Sequence, residues 1–370
     1  MKKRFVLMDS ARGIAAISVL FIHCWTSFVA GPEYRTLNII FAKLPVLVFF
    51  VLSGFVLSYS LKNALSRHKL GGFNIISQSK TFYIKRFFRI IPLIIFSLLS
   101  ALVISRFYTV PVVSSAADGL KYFITMGHNI DHYGLIVNFF LIDPYVNHPL
   151  WTMRPELAFS LIAPLLVMIC LNNTTIQVIA FSGFALIMFF FGGIIWWIGI
   201  FGWLFPFYLG VLISFYDKAI SGLPKVAVVS LLLLLGFMLL IVLTERGIPR
   251  GNGLLLSMVA SGIIVLCLWG EGTWLGDFFS SAPFRFLGRI SFSLYILHSP
   301  CIFLVWVLLE RHNPEYFTAK GMLFGKITLF ILASLISVPF ACIVEKYVER
   351  PFNKLGHILA QRAKGMPSLT

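Results

Sequence analysis

The chain has 370 residues, 59% of them hydrophobic and only 12% charged, with a mean hydropathy of +0.91. That balance excludes a soluble globular domain and places the chain in a lipid bilayer. Its formal net charge of +16 calls for an account from membrane topology or anionic ligands, and no pattern in the sequence points to nucleic acid.

With a ruler of about 20 apolar residues per crossing, the sequence predicts an all-α, polytopic protein of about ten spans. They are 11–30, 37–60, 88–107, 151–171, 175–191, 194–216, 225–243, 253–270, 287–309 and 321–344. The pair divided at Gly192 and Gly193 is the weakest boundary. The first span follows "MKKR", but it is too long for a signal peptide, holds Arg12 and His23, and has no small-x-small site near Ala30. With the amino terminus inside, twenty of the thirty Lys and Arg fall on the cytoplasmic side, which places both termini there. The five cysteines stand singly in apolar helices without metal spacing, as packing residues do. No repeat or linker divides the chain, so residues 1–350 are expected to form one membrane domain and 351–370 a short basic cytoplasmic tail. Between Phe107 and Leu150, the apolar runs 120–127 and 133–142 are too short to cross and suit an outer lid or re-entrant segment. A polar, basic inner loop is expected from Lys62 to Lys85.

Three constellations carry chemistry. In "MDSARGIAAISVLFIHCW", Arg12 and His23 are eleven residues apart, about 20° past three full helical turns, so both project from one stripe roughly 16 Å apart along the axis. One ligand can touch both, with Arg12 at the cytoplasmic mouth, braced by Asp9, and His23 near mid-membrane. Intramembrane ionisable groups are functional by default. His23 can take a proton from a hydroxyl or carry an acyl group, or it can simply bond a neighbouring helix. In "KRFFRIIP", Lys85, Arg86 and Arg89 surround the inner end of the third span, where Arg86 and Arg89 can converge on a phosphate or merely mark topology. In "HPLWTMRPELAFS", Glu156 lies one to two turns into the fourth span, where it can orient an imidazole, bind acceptor hydroxyls or pair with Arg154. His148, Trp151 and His298 are candidates for contacting the acceptor. Ser291, Ser293 and Tyr295 offer His298 ordinary partners, and Glu345 and Glu349 read as a solvated charge cluster.

These segments, in this order, resemble the acyltransferase 3 family of integral membrane proteins. "MDSARGIAAISVLFIH", "FFVLSGFVLS", "KRFFRIIP", "HPLWTMRPE", "SFSLYILHSP" and "VEKYVERPF" are each similar to one of its motifs, and together they cover nearly the whole chain. The resemblance implies a multi-pass protein of the bacterial plasma membrane that moves an acyl group, most often acetyl, from cytoplasmic acyl-coenzyme A to a carbohydrate hydroxyl at the outer face. Acetyl-coenzyme A would be a co-substrate, with no permanently bound cofactor or metal. His23 matches the catalytic histidine, with Glu156 the acid beside it, Arg12 a coenzyme-binding residue, and Lys85, Arg86 and Arg89 the basic donor motif. Without the hydrolase-like domain that some members append, transfer would be expected to fall to the membrane domain alone. A transporter or flippase for a lipid-linked sugar or organic anion is the alternative, disfavoured by the lack of repeat symmetry.

Overall fold

The computed structural model describes residues 5–27, 36–67, 75–107, 132–142, 144, 146–171, 173–191, 199–244, 252–313, 315 and 322–363. The apolar run 120–127 lies outside them. Among the described residues every regular element is helical, as a bilayer requires of a chain that must satisfy its own backbone. The main helices are α1 (Val6–Thr26), α2 (Leu44–Arg67), α3 (Ile75–Phe107), α4 (His132–Phe139), α5 (Met153–Cys170), α6 (Thr174–Phe191), α7 (Leu204–Phe215), α8 (Lys225–Thr244), α9 (Asn252–Trp269), α10 (Ala282–His312), α11 (Met322–Val344) and α12 (Arg350–Arg362). Eight described stretches are long and apolar enough to cross a membrane, and α6 and α7 form two shorter apolar helices.

Packing direction shows how those two short helices count. Phe50 stacks on Phe207, Ser58 donates to Ser214 at 2.7 Å and Lys62 pairs with Asp217 at 3.0 Å, so α2 and α7 run parallel. Alternating crossings make α2 second, and α7 can run parallel to it as sixth only if α6 also crosses. The first and ninth spans, α1 and α10, are likewise parallel: Gly13 backs onto Gly288 and, ten residues along each helix, His23 meets His298. Small residues permit these close approaches, since lipid gives helices no hydrophobic reason to associate.

Two expectations about helix ends need correction. Most of the expected inner loop is helical, because α2 runs to Arg67 and α3 starts at Ile75. The basic motif therefore lies three turns inside α3 instead of at its mouth. At the other end, α11 continues through the wide helical turn Glu345–Glu349 into α12, where Gly356 packs against Phe88 of α3. The run 133–142 is largely helix α4, closed by Leu141 at φ 57° and by the Asn138 side chain, which accepts from the Val146 N–H at 2.8 Å.

α10 is the hub of the bundle. The apolar window of its span is 83% buried inside the protein, against 17% for α8, whose uniform hydropathy suits lipid on most sides.

Candidate active site

A cleft with about 60 Å³ of space for water lies between α1, α2, α3, α5 and α10. Arg12, Arg86 and Arg89 line it from one end, Glu156 from the side, and Thr152 and Tyr295 from deeper in the bundle. Arg86 and Arg89 converge because residues three apart share a helix face. Lys85, turned about 100° from Arg86, is not among the lining residues. Asp9 sits 4.0 Å from the Arg12 guanidinium, and the Arg89 guanidinium lies 5.8 Å above the Phe292 ring.

Glu156 pairs with neither an imidazole nor Arg154. It accepts from Arg86, whose Nε also donates to Ser160 Oγ at 3.1 Å. Arg154 donates instead to the backbone carbonyls of Leu141 and Ile142. The reason is helical phase: residues 154 and 156 are about 200° apart and cannot share a face. The acid thus belongs to the arginine cluster. Glu345 and Glu349 are buried as well, contrary to the solvated reading. Glu349 accepts from Ser293 at 2.7 Å, while Glu345 holds Arg350 at 2.9 Å. The wide turn between α11 and α12 draws both carboxylates into the bundle.

Above the cleft stand the histidines. His23 Nδ1 is 2.8 Å from His298 Nε2, with the rings 5.0 Å apart and inclined by 26°. His298 is fully buried, and its Nδ1 lies 2.6 Å from the Tyr295 carbonyl oxygen. Ser291 and Ser293, expected as its partners, turn to Gly288 O and Glu349. Tyr295 is the link between the two levels, since it lines the cleft while its ring lies 5.8 Å from that of His298. His23 itself is not among the cleft's lining residues, and along α10 the lining ends at Tyr295, one turn before His298.

The short helical turn His148–Thr152 is tied to the same hub by Asn147 Nδ2, which donates to Ile296 O at 2.9 Å. This brings His148 within electrostatic range of both histidines. Trp151 packs edge-on to Trp203 at 5.6 Å and to Phe50 at 6.4 Å, and it is not among the cleft's lining residues. Sequence reasoning missed Tyr295 and Thr152 as lining residues. The usable signal was their spacing, since Tyr295 lies one turn before His298 and Thr152 one turn before Glu156.

Residues 6–346 match the acyltransferase 3 family, described as an acyltransferase domain. The chain belongs to that family. Among curated relatives of this acyltransferase-family chain, the peptidoglycan O-acetyltransferase OatA of Listeria monocytogenes is 23% identical over 381 residues, 95% of this chain and 56% of the relative. The putative peptidoglycan O-acetyltransferase YrhL of Bacillus subtilis is 26% identical over 112 residues, 30% of this chain and 16% of the relative. The chain thus spans little more than half the length of the first relative. No solved structure matches. An acyltransferase family leaves the transporter reading without support.

Proposed function

We propose that this member of the acyltransferase 3 family transfers acetyl from cytoplasmic acetyl-coenzyme A to a hydroxyl of a peptidoglycan-type glycan at the outer face of a bacterial plasma membrane. In this reading residues 1–350 are the catalytic domain and both termini are cytoplasmic. The observation that carries it is the vertical arrangement: three arginines line one cleft that leads through Tyr295 toward the His23–His298 pair. Guanidinium groups suit the coenzyme's phosphates, which they bind bidentately. Arg12, Arg86 and Arg89 would hold the anionic end while the pantetheine arm rises past Tyr295 toward His23. Lys85, off the cleft, would add positive potential at the entrance. The ~16 Å separating Arg12 from His23 along α1 is a distance for an extended arm to cover.

In this mechanism the acceptor hydroxyl reaches His23 from the outer side, past His148 and Trp151. His23 accepts the hydroxyl proton as the oxygen attacks the thioester carbonyl carbon. The new C–O bond forms, the C–S bond breaks, and the thiolate takes the proton back from His23, leaving coenzyme A as the free thiol. Glu156 keeps Arg86 aimed into the cleft, which makes it a positioning residue for the donor.

The test is single-turnover transfer in nanodiscs from radiolabelled acetyl-coenzyme A to the disaccharide N-acetylglucosaminyl-N-acetylmuramic acid. His23→Ala should lower the rate by about 10² to 10⁴, the usual worth of a positioned general base, with donor affinity unchanged. Near-parental transfer by well-folded His23→Ala would overturn the mechanism.

A further inference from the structure

The hydrogen bonds of the histidine pair fix more than its position. A carbonyl oxygen only accepts, so the 2.6 Å contact between His298 Nδ1 and Tyr295 O requires the proton of His298 to be on Nδ1. His298 is fully buried, and its neighbours are backbone carbonyls and other histidine rings, with no carboxylate among its contacts. A charged imidazolium there would be buried with no acid among the described residues to balance it, so the neutral ring is the one that fits. Its Nε2 is then a bare acceptor. The 2.8 Å contact from His23 Nδ1 can be a hydrogen bond only if His23 carries its own proton on Nδ1.

We infer that His298 is a positioning residue that sets the tautomer of His23, so that Nε2 of His23 is the atom that takes the acceptor's proton. This rests on the acyl-transfer reading above. The order is Tyr295 C=O, His298 Nδ1–H, His298 Nε2, His23 Nδ1–H, His23 Nε2. Each hydrogen bond is donated downward toward the backbone carbonyl, and the lone pair is left at the catalytic end. When the acceptor oxygen attacks the thioester, its proton moves to Nε2 and His23 becomes imidazolium. The Nδ1–H it already donates to His298 becomes a charge-assisted bond and strengthens in the transition state. When the thiolate collects the proton, both rings return to their starting tautomers. A carboxylate does this work in the familiar triads. Here a second imidazole anchored to a backbone carbonyl does it, which avoids burying an anion in the membrane. The anchoring oxygen belongs to Tyr295, whose side chain lines the donor cleft.

The experiment uses the full chain in nanodiscs, with acetyl-coenzyme A and the same disaccharide as substrates, and three variants of one position. His298→Gln keeps a carbonyl acceptor near the place of Nε2, His298→Asn reaches only as far as Nδ1, and His298→Leu has no acceptor. The expected kcat is within about tenfold of the parent for Gln and about 10²-fold lower for Asn and Leu, with KM for acetyl-coenzyme A unchanged in all three. Coenzyme A affinity and monodispersity report whether each variant has folded. If the parent releases no coenzyme A, or His23→Ala matches it, the acyl-transfer reading fails. If the parent is active and His23→Ala is not, but folded His298→Leu turns over like the parent, the tautomer role alone is overturned. Solid-state NMR of ¹⁵N-histidine-labelled parent protein gives an answer that needs no variant at position 298. Subtraction of the His23→Ala spectrum should show His23 protonated on Nδ1 and bare on Nε2, and the opposite tautomer would overturn the inference even if every His298 variant failed to fold.

Discussion

The approach of α1 to α10 provides a test of this geometry far from any reacting atom. A Cβ added at Gly288 would lie 2.3 Å from the backbone oxygen of Asp9, where ordinary contact begins at 3.4 Å. Relief in Gly288→Ala therefore needs about 1.1 Å of separation, and backbone on both sides leaves no flexible side chain to absorb it. The helices are parallel, with His23 and His298 ten residues further along, ~15 Å away on the axis. Carried along rigid helices, that separation stretches the 2.8 Å His23–His298 contact to ~3.9 Å, outside hydrogen-bond range. Overpacking of this kind costs about 1–3 kcal/mol, which a multi-pass bundle can survive. Gly288→Ala should thus still insert and bind coenzyme A, melt a few degrees lower, and lose about 10²-fold in kcat, as expected when the base loses its orienting partner. The assay is coenzyme A release from acetyl-coenzyme A in nanodiscs, alongside thermal melting. Gly236→Ala is the control, because a Cβ there meets nothing within 4 Å. A folded Gly288→Ala protein with parental kcat would refute the claim that helix spacing sets the histidine pair.

Two further outcomes follow from particular contacts. Arg86 and Glu156 are both buried and pair with each other, so Arg86→Met alone should cost about 3–5 kcal/mol by stranding the carboxylate, whereas Arg86→Met with Glu156→Leu should restore most of the loss while leaving donor binding weak. Thermal melting compares the two, and equal destabilisation would show that the pair is not coupled. Lys354 is exposed on α12, so Lys354→Cys should react with an impermeant maleimide only from the cytoplasmic side. Labelling from outside would reverse the assigned topology and, with it, the side from which the donor enters.

The sequence by itself determined what depends on one helix at a time. Composition and apolar length dictated a membrane bundle of about ten crossings, and the 3.6-residue period put Arg86 with Arg89 and Arg12 with His23 on common faces before any neighbour was known. Tertiary structure decided which faces meet. His23 and His298 are 275 positions apart and Arg86 and Glu156 are 70 apart, and nothing in either segment names its partner. The physical reason is the solvent. In water a helix shows its buried face by an apolar stripe, but in lipid nearly every face is apolar, so the pattern is silent about contacts. Partners are then chosen by close packing at a few small residues, such as Gly13 against Gly288 and Gly54 against Phe207. The first of those approaches sets two histidines from opposite ends of the chain within one hydrogen bond of each other, while the wide turn between α11 and α12 draws Glu349 out of an expected solvated cluster and helical phase keeps Glu156 from Arg154.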